Sequence, residues 1–170
     1  MDIKIVIANE ESQLRDCLNI RHQVFVVEQN IPTEIEMDEH EKISTHFLIY
    51  ANEKPIATGR YRINNNFLKF ERIATIKSMR GKKIGTLLMQ KMQKTGLEKY
   101  PAYLQVTNSQ KNSIPFYKKL GWVPTGKIFI EAKIEHQLMI FLPKDIKKLK
   151  CLDDPNCPSD ILKYLRYFSK

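Results

Sequence analysis

The stretch that most constrains this chain is residues 70–96, FERIATIKSMRGKKIGTLLMQKMQKTG. Phe70 to Thr75 read as a strand, followed by the basic turn Arg80-Gly81-Lys82-Lys83-Ile84-Gly85. Ile84, Leu87, Leu88 and Met92 then recur at helical spacing. A strand, a glycine-bearing turn and a helix start gather backbone N–H groups that have no intrahelical acceptor. With the positive end of the helix dipole, they suit an anion such as a pyrophosphate. Arg80, Lys82 and Lys83 place mobile positive charge beside it. The turn therefore reads as a phosphate cradle, with a solvated basic loop as the competing reading. Two familiar phosphate motifs are excluded: neither G-x-x-x-x-G-K-S/T nor G-x-G-x-x-G after the strand occurs.

At 170 residues, 42% hydrophobic and 28% charged, the chain has the balance of one globular domain with a proper core. No apolar run approaches the roughly 18 residues of a membrane span. The opening MDIKIVIANEE lacks the basic and apolar regions of a signal peptide. Three cysteines, Cys17, Cys151 and Cys157, are odd in number and show no metal spacing, which suits a reducing cytoplasm. The four histidines are scattered, so no metal is expected. A net charge of +9 fits nucleic acid, a lysine-rich compositional bias or a small polyanionic ligand. No RNA-binding aromatic signature, helix-turn-helix or zinc finger accompanies it, so nucleic acid is not the expected partner.

Along the chain, Ile3, Ile5 and Ile7 mark a period-two strand, and Asn9 can cap the helix that follows. Leu14, Cys17, Leu18, Val24 and Phe25 form its apolar face, with Arg21 inside the stripe. Residues 26–45 hold Pro32 and the negative charges Glu28, Glu34, Glu36, Asp38, Glu39 and Glu41, a loop able to attract a cation. Residues 46–51 and 55–63 read as a hairpin, and Gly59 hints at a bulge or a close backbone approach. Arg60 and Arg62 share one strand face, where they can hold phosphate or pair with Glu71. Another strand is expected at 103–107, a helix stopped by Gly121, and closing strands at 128–134 and 137–142. Residues 144–170 read as an extension with a short amphipathic piece, leaving 1–143 as the domain.

The basic turn resembles the coenzyme A signature Q/R-x-x-G-x-G/A, more fully R-G-x-G-I-G, of the GNAT N-acetyltransferase superfamily, with Lys83 replacing the middle glycine of the pattern. A positive φ at Lys83 would cost about 1 kcal/mol or more. A second GNAT motif, N-x-x-A-x-x-F/L-Y-x-K-x-G-F/W, resembles the run Gln110 to Trp122, with Ser113 at the alanine position. RHQVFVVEQNIP, His46, GRYR, ERIA and F-x-E-A-x-I-x-H-x-x-M extend the likeness to the small ElaA-like branch, over residues 3 to 142.

The resemblance implies an α/β (α+β) GNAT fold: a mixed, mostly antiparallel twisted sheet of six to seven strands, flanked by helices and splayed between strands 4 and 5. It implies acetyl-CoA as co-substrate, held by Ile73, Ala74 and Thr75, by residues Arg80, Gly81, Lys82, Lys83, Ile84, Gly85 and Thr86, and by Gln110, Ser113, Phe116, Tyr117 and Lys119. Tyr117 stands at the family's general-acid position. Glu71 is the first candidate base and His136 the second. The acceptor expected is a small-molecule primary amine, with Arg21, Glu28, Asp38, His46, Arg60 and Arg62 as its candidate contacts. An acidic loop beside arginines suits an amino-sugar phosphate such as glucosamine 6-phosphate, while polyamines and peptide amines fit the loop but not the arginines. A homodimer through the closing strands stays open.

Overall fold

The computed structural model describes residues 1–168. In chain order it holds β1 (Ile3–Ile7), α1 (Glu11–Arg21), a π-helical segment (His22–Glu28), α2 (Thr33–Glu36), β2 (Thr45–Ala51) and β3 (Lys54–Asn64). Then follow β4 (Phe67–Thr75), α3 (Ile84–Lys99), β5 (Leu104–Gln110), α4 (Ile114–Lys119), β6 (Val123–Glu131), β7 (Ile134–Phe141) and α5 (Ser159–Phe168). The seven strands make a sheet of order β1-β2-β3-β4-β5-β7-β6. β1–β2, β2–β3, β5–β7 and β6–β7 pair antiparallel, whereas β4 and β5 are parallel. The expected mixed, mostly antiparallel sheet flanked by helices is present.

The chain packs as two compact units, residues 1–62 with 70–92, and residues 63–69 with 93–168. In the first, Cys17, Ile20 and Val24 are buried with Ala8, Leu48 and Ala74. α1 starts one residue later than an Asn9 cap would place it. Glu10 is its cap, and the Gln13 side chain accepts the Asn9 and Glu10 N–H groups at 3.1 and 3.2 Å. Gly59 marks a close approach: a Cβ there would lie 2.8 Å from Met92 Sδ and 3.3 Å from Ile73 Cγ1. The bulge of that hairpin falls elsewhere, between Ile49 and Tyr50.

In the second unit, the extension beyond Pro143 is part of the core. Leu149, Cys151, Cys157, Ile161 and Leu165 are buried with Phe67, Leu104, Val106 and Ile140. Each fully buried Leu or Ile contributes about 1.5–3 kcal/mol, so this segment stabilises the unit substantially. All three cysteines are free and buried. The closing hairpin differs from expectation. β6 begins at Val123 rather than 128, and the chain reverses at Ala132-Lys133, inside the expected first strand. Both turn residues have left-handed φ, 50° and 62°, without the Asn or Gly that usually signals such a turn.

Candidate active site

The first unit carries the basic turn. Gly81 and Lys83 both have positive φ, 76° and 62°, so the chain twists left-handed twice before α3 begins at Ile84. Lys83 thus adopts the costly conformation, at about 1 kcal/mol or more. The Leu87 N–H donates to the Lys83 carbonyl at 3.1 Å, the first bond of the helix. By helix geometry the amides of Ile84, Gly85 and Thr86 have no acceptor within it. Gly81, Lys82 and Lys83 are exposed. Arg80 is tied down instead: its guanidinium meets Glu28 at 2.5 and 2.9 Å and donates to the Thr75 carbonyl at 2.9 Å. The Arg80 hydrogen bond holds the Glu28 carboxyl below its usual value.

β4 is kinked at Arg72, whose φ is 55°. In a regular strand, Glu71 and Arg72 would face opposite sides of the sheet. The left-handed residue lets both reach one cluster. Arg72 donates to the Ile35 and Glu36 carbonyls at 3.0 and 3.2 Å and to Asp38 at 3.1 Å. Ile73 and Thr75 are half-buried and Ala74 is buried just beyond the kink.

That cluster gathers four guanidinium groups and four carboxylates. Arg21, 1% exposed, meets Glu36 at 2.5 Å and Glu41 at 2.7 Å. Arg60, also 1% exposed, meets Glu41 at 2.5 Å, Asp38 at 2.6 Å and Glu71 at 2.8 Å. Arg62 meets Glu71 at 3.1 Å. Burial works to raise the Asp38 carboxyl, but hydrogen bonding and charge from Arg60 and Arg72 outweigh it and hold it at about 2. Burial likewise opposes, and the Arg21 and Arg60 charges overcome, for Glu41, which also lies low. His46 sits at the edge of this group with Nε2 2.9 Å from the Glu41 carbonyl, and burial pushes its pKa down. Arg21, Asp38, His46, Arg60, Arg62 and Glu71 thus lie in one network. Glu36, Glu41 and Arg72 complete it without having been singled out as site residues.

The second unit carries the remaining candidates. Tyr117 of α4 is buried, edge-on to Phe116 at 5.2 Å and to Trp122 at 5.8 Å. Burial raises its hydroxyl to about 12, although a hydrogen bond with Thr107 works the other way. The group therefore holds its proton at neutral pH. Gln110 ends β5, Ser113 precedes α4, and Lys119 is exposed in its last turn. His136 of β7 is buried, stacked on Phe129 at 5.8 Å, with Nδ1 2.8 Å from the Ile134 carbonyl. That contact assigns the proton to Nδ1 in the neutral ring and leaves Nε2 as the acceptor. Among the described residues, no group of His, Cys, Asp and Glu could hold a metal ion.

Residues 8–142 match the family model described as an acetyltransferase (GNAT) domain. The chain belongs to the GNAT acetyltransferase family. It is 40% identical over 139 residues to the uncharacterized N-acetyltransferase YjcF of Bacillus subtilis, covering 81% of this chain and 99% of that protein. ElaA of Escherichia coli is 30% identical over 129 residues, covering 74% and 84%. The crystal structure of E. coli ElaA superposes with a TM-score of 0.74 at 24% identity, over 83% of this chain and 99% of that one. The PaiA N-acetyltransferase of Thermoplasma acidophilum, solved in complex with coenzyme A, shares the fold with a TM-score of 0.63 at 15% identity, over 84% and 100%. As a GNAT protein, this chain is an acyltransferase.

Proposed function

We propose that the protein transfers the acetyl group of acetyl-CoA directly to a primary amine of a small molecule. The observation that carries this reading is the doubly left-handed turn at Gly81 and Lys83, which opens α3 toward an anion. The amides from Lys82 to Thr86 hold the pyrophosphate, and the Lys82 and Lys83 ammonium groups neutralise it. The pantetheine arm lies along Ile73, Ala74 and Thr75 of β4, beyond the kink at Arg72. Gln110, Ser113, Phe116 and Lys119 keep the supporting cofactor roles that the second motif implies.

The amine must lose a proton before it attacks the thioester carbonyl, because a free alkylamine has a pKa near about 10. Nitrogen then bonds to the carbonyl carbon, the tetrahedral intermediate collapses, and the C–S bond breaks. Tyr117 protonates the departing thiolate, a role suited to a phenol that stays neutral at physiological pH. His136 is favoured as the base, through Nε2, which stands 3.9 Å from the Glu131 carboxylate. Glu71 serves better as an anchor, since Arg60 and Arg62 engage both of its oxygens.

The acceptor follows from the same network. Arg21, Arg60 and Arg62 are each held by carboxylates, which favours an amine without phosphate over glucosamine 6-phosphate. Releasing those arginines to bind a phosphate would strand buried carboxylates. The decisive assay follows coenzyme A thiol release from acetyl-CoA with glucosamine 6-phosphate, spermidine and a lysine peptide in parallel. Turnover with an amine lacking phosphate supports the reading; turnover with the sugar phosphate alone would overturn the acceptor assignment. Tyr117→Phe should lower kcat at least about tenfold while acetyl-CoA affinity stays within about twofold. Unchanged turnover removes Tyr117 as the acid.

A further inference from the structure

We infer that Arg72 is a positioning residue for the pantetheine arm: its side chain, latched to the loop from Ile35 to Asp38, holds β4 in the left-handed kink from which Ile73, Ala74 and Thr75 run. This role rests on the pantetheine placement proposed above.

Arg72 has φ 55° inside a strand of nine residues. Within strands such a conformation belongs to bulges, where glycine is the usual occupant and the chain is re-aimed. An arginine carries a Cβ that opposes it. Strain of this kind persists only where neighbouring contacts hold it. Both sides of the kink are held. Glu71, one residue before, receives Arg60 on Oε2 at 2.8 Å and Arg62 on Oε1 at 3.1 Å. Arg72 itself donates through Nη2 to the Ile35 carbonyl at 3.0 Å and to Asp38 at 3.1 Å, and through Nε to the Glu36 carbonyl at 3.2 Å.

Two of those three acceptors are main-chain carbonyls, so the latch follows the path of the loop rather than the rotamer of one side chain. The loop is itself immobilised. Arg21 of α1 meets Glu36 at 2.5 Å, Arg60 of β3 meets Asp38 at 2.6 Å, and the Met37 N–H donates to the Thr33 carbonyl at 2.8 Å. Charge alone does not call for Arg72 here, because Glu36 and Asp38 already meet Arg21 and Arg60. In a regular strand its side chain would leave the face opposite Glu71. What the guanidinium adds is a fixed backbone direction at the residue next to Ile73.

Kinked and extended β4 behave as two states. Arg72→Ala keeps the Cβ and removes the latch, so the kinked fraction falls about tenfold. A ligand that needs the kink then binds more weakly in proportion to that fraction. Arg72→Gly removes the latch and the Cβ opposition together, which keeps the kink accessible.

Calorimetric titration of the full chain with two probes tests this. One is acetyl-CoA; the other is its nucleotide portion, adenosine 3′-phosphate 5′-diphosphate, which keeps the pyrophosphate and lacks pantetheine. Arg72→Ala should weaken acetyl-CoA binding about tenfold. Arg72→Gly should hold it within about threefold of wild type, and the nucleotide portion should stay within about twofold in both variants. A strong intraresidue HN–Hα cross-peak at position 72, the mark of a left-handed φ, should appear in wild type and R72G and be lost in R72A. Unchanged acetyl-CoA binding in Arg72→Ala overturns the role. So does an R72G as weak as R72A, which would make the guanidinium itself the contact, or an equal loss for both probes, which would mean general damage to the site. A wild type that binds the two probes equally would overturn the pantetheine placement first, and this role with it.

Discussion

Two clusters of positive charge lie in the first unit, and they differ in what surrounds them. Arg21 and Arg60 are almost wholly buried and, with Arg62 and Arg72, are matched by Glu36, Asp38, Glu41 and Glu71. Lys82 and Lys83 sit exposed on a left-handed turn, where Glu28 engages their neighbour Arg80. The first cluster is an internal clamp that fixes the loop from Ile35 to Glu41 against β3 and β4. The second leaves Lys82 and Lys83 exposed, as the proposed phosphate site needs. Net charge counts both alike, whereas burial and the number of carboxylates within reach separate them. The comparison teaches that a basic residue near a site is a candidate ligand only when its own protein has left it unpaired.

Breaking the clamp should cost most. Arg60→Ala takes one guanidinium from Asp38, Glu41 and Glu71 at once and leaves each with a single arginine in a partly buried setting, a loss of about 3–5 kcal/mol. For a chain of this size that is a drop of roughly 10 °C in melting temperature, read by calorimetry; a drop under about 2 °C would mean the clamp is dispensable.

Acid should loosen the clamp in a defined window. Asp38 has a folded value of about 2 against the usual carboxylate value near 3.9, so its contribution is complete above about pH 4 and fades as pH falls through about 2. Glu41, also lowered, acts in the same direction. Urea midpoints measured from pH 6 to pH 2 should fall across that window, and more shallowly in Asp38→Asn. Parallel curves for the two proteins would contradict the ion pairing.

The smallest effect is expected at the turn itself. Lys83→Gly removes the left-handed strain but frees the unfolded chain, for a net gain of about 0.5 kcal/mol. Acetyl-CoA affinity should fall despite the higher stability, because the ammonium is gone. A stability loss in that variant would show that the turn does not need glycine-like backbone.

Much of this was legible from sequence where local chemistry decides. The strand–turn–helix of residues 70–96 follows from spacing, and the pairing of Arg60 and Arg62 with Glu71 and the close approach at Gly59 were each one of two alternatives the sequence left open. What escaped depends on backbone conformations that residue type conceals. Arg72 with φ 55° joins Glu71 on one side of β4, against strand alternation, and nothing in ERIA announces it. Ala132 and Lys133 form a left-handed turn without glycine, so the closing hairpin was expected several residues late. Arg21 and Glu36 lie 15 residues apart and meet because the π-helical segment and α2 fold the loop back, a tertiary contact no local pattern encodes. Residues 144–160 read as polar and broken, yet Leu149, Cys151 and Cys157 are buried together with Ile161 and Leu165 of the amphipathic piece that follows.

The division between clamp and cradle is tested most directly by titrating acetyl-CoA into wild type and K82A/K83A by calorimetry, at low and at moderate salt. The double variant should bind about tenfold or more weakly, lose most of the salt dependence, and melt with the wild type. An affinity and a salt dependence equal to wild type would contradict the assignment and return the phosphate site to the arginines.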